Sequence, residues 1–195
     1  MSFVSPWDWF PSIYVACLFV ATFIAWWGTE RLYIPRGTDS QRQLRDHGSR
    51  LINVLTIYVS IALCFIVRSL GVGLVDTLLQ VSGMVLMVAG ILFRAWAIHV
   101  LGRHFSVHVA IQTSHELVTS GPYRWFRHPS YTGTLMTLVG LPIALGVWPM
   151  VIFVSVAFVA AHIFRIRVEE AAMAEAFGEA YTSYCKSTWR MFPGW

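Results

Sequence analysis

The sequence predicts an all-α, polytopic integral membrane protein with about five transmembrane helices and a cytoplasmic, amphipathic C-terminal helix. Three observations carry that expectation. Of 195 residues, 56% are hydrophobic and only 12% are charged, against about 25% charge in an average soluble domain. The apolar residues gather in long runs, and the arginines fall in the segments between alternate runs. The formal net charge of +4 therefore reads as membrane topology. It does not read as a nucleic-acid face, because the arginines form no basic stripe interleaved with aromatics.

A hydrocarbon core of roughly 30 Å takes about 20 helical residues to cross. Five runs approach that length: 7–28, 51–67, 77–101, 131–146 and 147–164. The chain opens with MSFVSPWDWF, without a basic n-region or a small-residue cleavage site. The first run is accordingly expected to stay in the membrane and not to leave as a signal peptide. The fourth and fifth runs meet at GVWP, residues 146–149, which suits the turn of a tight helical hairpin. Arg31, Arg36, Arg42, Arg45 and Arg50 lie in one loop, Arg103, Arg124 and Arg127 in another, and Arg165, Arg167, Lys186 and Arg190 in the tail, whereas the alternate loops hold only Arg68. The positive-inside tendency puts the N-terminus outside and the C-terminal tail in the cytoplasm. Cys17, Cys64 and Cys185 lie far apart without a CxxC spacing, so they read as packing residues.

Nearly all the notable polarity follows Arg94. The stretch HELVTSGPYRWFRHPSYTG, residues 115–133, holds two histidines, two arginines, two tyrosines and two prolines. Pro129 suits the first position of a helix, which makes His128 the N-cap. The free N–H groups and dipole of that first turn favour an anionic group. Tyr123, Arg127, His128 and Tyr131 can gather at the same helix start. The same residue types also make an interfacial belt at headgroup level, and spacing alone does not choose between the two. A second constellation, HIFRIRVEEAAMAEAFGEAYTSY at 162–184, continues from the fifth run. His162, Arg165 and Glu169 share one helical face by i, i+3 and i+4 spacing, while Arg167 and Glu170 are expected to point elsewhere. An active pair and a solvated ion pair are both compatible with that spacing. Met173, Phe177, Tyr181 and Tyr184 make an apolar stripe suited to core or membrane-surface packing.

Other polar groups suggest less. Arg94 sits about two turns inside the third run's cytoplasmic end and is expected to snorkel to the interface. His99, His104 and His108 have a metal-like spacing without acidic or thiol partners, so no metal site is expected. No GxGxxG or Walker loop is present, and Rossmann or P-loop nucleotide binding is unsupported.

In order and spacing, HxLVTxGPY, RHPSY, the Arg165/Glu169 pair and FGxxYxxY resemble the isoprenylcysteine carboxyl methyltransferase family, over roughly residues 83–195. The resemblance implies a single membrane methyltransferase domain over 1–195. Residues 1–82 would be accessory transmembrane helices and 83–195 the cofactor-binding, catalytic half. It further implies an S-adenosylmethionine pocket on the cytoplasmic side of the last helices. Gln112, His115, Glu116, Leu117, Val118 and Tyr123 would contact the cofactor from one side, and His128, Pro129, Ser130 and Tyr131 from the other. Glu169 would pair with the cofactor's ammonium and Arg165 would bind the methyl acceptor, the two forming the catalytic pair. The implied partners are a lipophilic methyl acceptor, most simply a carboxylate such as an isoprenylcysteine-like C-terminus, and membrane lipid. Nucleic acid is not among them. A phospholipid amine or small thiol as acceptor, and an NADPH-dependent sterol-type reductase on a related scaffold, are the alternatives, since kinship of fold does not determine the acceptor.

Overall fold

The computed structural model describes residues 13–33, 49–73, 76–102 and 117–195. Within them run five α-helices: α1 (Ile13–Tyr33), α2 (Ser49–Ser69), α3 (Thr77–Leu101), α4 (Pro129–Ala144) and α5 (Pro149–Ser187), with a 3₁₀ turn, Gly121–Arg124, ahead of α4. Among the described residues no strand occurs, and one isolated parallel bridge joins Phe126 to Trp189. The all-α expectation holds.

Helix positions follow the apolar runs closely, with boundaries shifted by local chemistry. α3 begins at residue 77 because Asp76 caps it, its Oδ1 accepting from the Leu79 N–H at 2.9 Å and satisfying one orphan donor of the first turn. α4 begins at Pro129, the N1 position. It ends in a tight turn where the Val147 N–H donates to the Pro142 carbonyl at 2.7 Å and Gly146 takes φ 77°, a conformation glycine adopts without steric cost. α5 then runs 39 residues, far past the fifth apolar run, and its backbone breaks at Gly178, φ 52° and ψ −123°. Among the described residues, Leu51–Ser69, Thr77–Leu101 and Pro149–Ser187 are long and apolar enough to cross a membrane, and Ala16–Gly28 is an apolar stretch within the 21-residue α1.

The most extensive helix pair is α3 with α4, and glycines at seven-residue intervals explain it. A Cβ added to Gly83 would lie 2.3 Å from the Ala144 nitrogen, one on Gly90 2.5 Å from Thr137 Oγ1, and one on Gly140 2.7 Å from the Gly83 oxygen. The two backbones are thus in direct contact. In lipid, where apolar side chains gain little by leaving hydrocarbon for each other, such close approach is what holds helices together. Around this pair, α2 packs on α5 and α1 on α3, and ring contacts Phe23–Phe65 and Trp27–Tyr58 tie α1 to α2.

The same close approach overturns the expectation that Arg94 snorkels. Its Nη1 donates to Ser130 Oγ at 2.7 Å, to Thr134 Oγ1 at 3.0 Å and to the Ser130 carbonyl at 3.3 Å. Gly133 brings α4 so near that a Cβ there would sit 2.7 Å from the Arg94 nitrogen. A guanidinium at that position finds hydroxyls across the interface before it reaches headgroups.

Candidate functional site

The site is built where the start of α4 meets the polar stretch of α5. On α5, Arg165 and Glu169 are one helical turn apart, and Arg165 Nε donates to Glu169 Oε1 at 2.9 Å. Tyr131, in the first turn of α4, inserts its hydroxyl between them. Its Oη donates to Glu169 Oε1 at 2.6 Å and accepts from Arg165 Nε at 2.7 Å. Two helices are thereby joined by a closed triangle of hydrogen bonds, with the Arg165 side chain only 5% exposed. A charged pair so buried is stable only when its polar atoms are satisfied, and the tyrosine hydroxyl contributes to that.

His128 extends the cluster. Its ring stacks on Tyr131 with centroids 5.6 Å apart and planes 8° apart. Nδ1 lies 3.4 Å from Glu169 Oε2 and Nε2 lies 3.6 Å from Glu170 Oε1. Consecutive residues on a helix diverge by about 100°, but His128 sits between the two carboxylates and both long side chains reach it. Burial by itself pushes the His128 pKa down, yet the contacts with Glu169 and Glu170 outweigh it and hold the imidazole above its ordinary 6.5. His162, one turn before Arg165, meets the far side of Tyr131 edge-on, centroids 4.9 Å apart, and its Nδ1 is 2.9 Å from the Phe158 carbonyl.

Glu170 corrects the expectation that it points away from the site. Its Oε1 accepts from Arg127 Nε at 2.8 Å and its Oε2 from Arg190 Nε at 2.9 Å. Arg167, by contrast, is exposed as expected. His128 does occupy the N-cap position, but its side chain makes no cap hydrogen bond because it is turned to the two glutamates.

Of the other residues the sequence singled out, Pro129 is buried at the helix start, and Ser130 turns its hydroxyl to Arg94 instead of to the Tyr131 cluster. Tyr123 is buried in the 3₁₀ turn, its carbonyl accepting from Tyr184 Oη at 2.6 Å. That bond gives the apolar stripe of α5 a specific partner. Leu117 and Val118 are half-buried just ahead of that turn. Gln112, His115 and Glu116 lie outside the described residues. The sequence reading placed Arg127 at the helix start but did not join it to Glu170 and Arg190, because no helical spacing relates positions on three different elements.

Fold and site together define a class: a polytopic helical membrane protein with a buried arginine, glutamate, histidine and tyrosine cluster at one end of its last two helices. Residues 83–175, just under half of the chain, match the model of the Isoprenylcysteine carboxyl methyltransferase (ICMT) family. The chain is 38% identical over 114 residues to the Protein-S-isoprenylcysteine O-methyltransferase of Homo sapiens, a match covering 56% of this chain and 39% of that protein. To the Saccharomyces cerevisiae protein of the same name it is 37% identical over 116 residues, covering 57% and 47%. The solved structure of the eukaryotic intramembrane Ras methyltransferase ICMT aligns with a TM-score of 0.58 and 25% identity, over 81% of this chain and 54% of that one. The chain thus spans about half or less of the length of these relatives. The fold is that of an integral membrane protein, as the apolar helices require.

Proposed function

We propose that this protein is an S-adenosylmethionine-dependent methyltransferase acting on a lipophilic acceptor, most simply a carboxylate of the isoprenylcysteine type. The observation that carries the reading is the Tyr131, Arg165 and Glu169 triangle with His128 stacked on it, within the segment that matches the family. Glu169 carries a negative charge suited to the cofactor's ammonium. His128 Nε2 is buried and makes no hydrogen bond, Glu170 Oε1 standing 3.6 Å away as an ion-pair contact only, and such a polar atom is one that a bound ligand can satisfy. On both counts the residues fit the cofactor. Leu117, Val118, Tyr123, Pro129 and Ser130, together with Gln112, His115 and Glu116, complete the expected wall.

The bound cofactor supplies an electrophilic methyl on a sulfonium. What the chain contributes is alignment, the main source of acceleration for a displacement whose carboxylate nucleophile is already ionised. Arg165, anchored through Nε to Tyr131 and Glu169, would meet the acceptor carboxylate through its guanidinium, a group suited to paired contacts with carboxylates. Tyr131 ties the acceptor residue to the cofactor residue through one hydroxyl. Five membrane crossings with the site on the cytoplasmic side complete the reading. α4 is the short member, with 16 residues, or about 24 Å at the usual helical rise, against 21 residues in α1 and in α2.

The test is calorimetry on the detergent-purified protein with S-adenosylmethionine, S-adenosylhomocysteine and NADPH, followed by methyl transfer to a prenylated cysteine bearing a free carboxylate. Binding of the two adenosyl ligands and not of NADPH is expected. Binding of NADPH alone would move the protein to the reductase class.

A further inference from the structure

The last eight residues, Thr188–Trp195, form a strap that the proposed chemistry leaves unused. Trp189 pairs with the segment before α4 in both directions: its N–H donates to the Trp125 carbonyl at 3.0 Å, and its carbonyl accepts from the Arg127 N–H at 2.7 Å. The next bond reaches the site itself, because the His128 N–H donates to the Arg190 carbonyl at 2.9 Å. One turn into α4, Thr132 Oγ1 donates to the Met191 carbonyl at 2.7 Å, and the Met191 side chain is fully buried. The strap is therefore hydrogen-bonded to Trp125, Arg127, His128 and Thr132, on both sides of the first turn of α4.

Charge locks it there. Glu170 stands between Arg127 and Arg190, with Arg190 Nη2 at 2.9 Å from Oε2 in addition to the Nε bond. Arg127 Nη1 also donates to the carbonyls of Cys185, at 3.1 Å, and Thr188. A continuous chain of polar contacts thus runs from Arg190 through Glu170 to His128 and on to Glu169. Both the backbone and the ring of His128 are set by groups that the strap holds.

We infer that Arg190, through Glu170, is a positioning residue that locks the C-terminal strap over His128, so that strap docking and occupancy of the cofactor site are coupled. The coupling rests on the cofactor reading above. It is reciprocal: whatever the strap adds to cofactor affinity, the cofactor adds to strap docking. Arg190 is the lever because its side chain is 37% exposed and can be truncated without opening a core cavity.

The experiment compares wild type, Arg190→Ala and Arg190→Lys by hydrogen exchange and by S-adenosylhomocysteine calorimetry on the detergent-purified chain. Arg190→Ala is expected to melt as wild type does, to exchange faster at the His128 and Trp189 amides, and to bind about fivefold or more weakly, the lower edge of typical coupling between sites. Arg190→Lys, which keeps the charge, should recover most of that affinity. In wild type the ligand should slow exchange at Trp189. Equal affinity of wild type and Arg190→Ala, with the strap exchanging freely, would overturn the coupling. Failure of wild type to bind the ligand would instead overturn the cofactor reading. The lock is then judged on exchange alone, with faster exchange at His128 in Arg190→Ala supporting it and unchanged exchange refuting it.

Discussion

Replacing Glu169 by glutamine changes one atom and one charge, and the structure says what that should cost. Oε1 of Glu169 accepts two hydrogen bonds, from Tyr131 at 2.6 Å and Arg165 at 2.9 Å, and an amide oxygen at the same place still accepts both. The amide nitrogen would face His128 Nδ1, which lies 3.4 Å from Oε2 in the native protein. The triangle therefore survives in outline, while the charge on its acceptor is lost. Charge-assisted hydrogen bonds contribute about 1.5–3 kcal/mol and neutral ones about 0.5–1.5. On the proposed cofactor reading, the contact of Glu169 with the cofactor's ammonium should thus weaken by about 1–1.5 kcal/mol, or roughly fivefold to tenfold in Kd at about 1.4 kcal/mol per decade. Calorimetric titration of S-adenosylhomocysteine into purified Glu169→Gln measures it, with thermal unfolding as the folding control. Arg165→Ala sharpens the comparison. It removes a donor from the same oxygen and leaves a buried carboxylate less compensated, so some cofactor affinity should go with it, while the larger loss falls on turnover. A Glu169→Gln protein that melts normally and binds within twofold of wild type would refute the reasoning.

Three further outcomes follow from particular contacts. Because Glu169 and Glu170 raise the His128 pKa, the imidazolium contributes stability that is fully present below its unfolded pKa of about 6.5. That contribution fades as pH rises through the higher folded value, so the melting temperature should fall across that window in wild type and lose this slope in His128→Gln, as pH-dependent thermal unfolding would report. Gly90→Val should destabilise by about 1–3 kcal/mol or more through overpacking, since its first added carbon already meets Thr137 and Gly133. Gly178→Ala, whose Cβ enters open space, should cost backbone strain alone, about 1–3 kcal/mol, since φ 52° with ψ −123° is sparsely populated for an L residue; a Gly90→Val protein that melts as wild type does would refute the packing account. For topology, single cysteines introduced at Thr38 and Asp76 should label from opposite sides of intact cells, and labelling of both from outside would refute the five-crossing reading.

Local chemistry was enough to locate the helices. Hydropathy is a property of contiguous residues, so the run 77–101 reappears as α3 with the same limits, and Pro129 starts α4 because its fixed φ and missing donor suit no other helical position so well. The Arg165 and Glu169 bond is equally local, since one turn of helix brings i and i+4 together whatever surrounds them. Tertiary structure decided everything that depends on how far apart two backbones stand and how each helix is rotated. Glycines at 83, 90, 133 and 140 look like weak helix formers in sequence, and only the pairing of α3 with α4 turns them into the contact that draws Arg94 to Ser130 and Thr134. Tyr131 reaches the Arg165 and Glu169 pair, and Glu170 reaches Arg127 and Arg190, across 34 to 43 residues of chain or through a tail with no periodicity at all. Such contacts are set by the rotation and separation of packed elements, which no spacing along a single helix encodes.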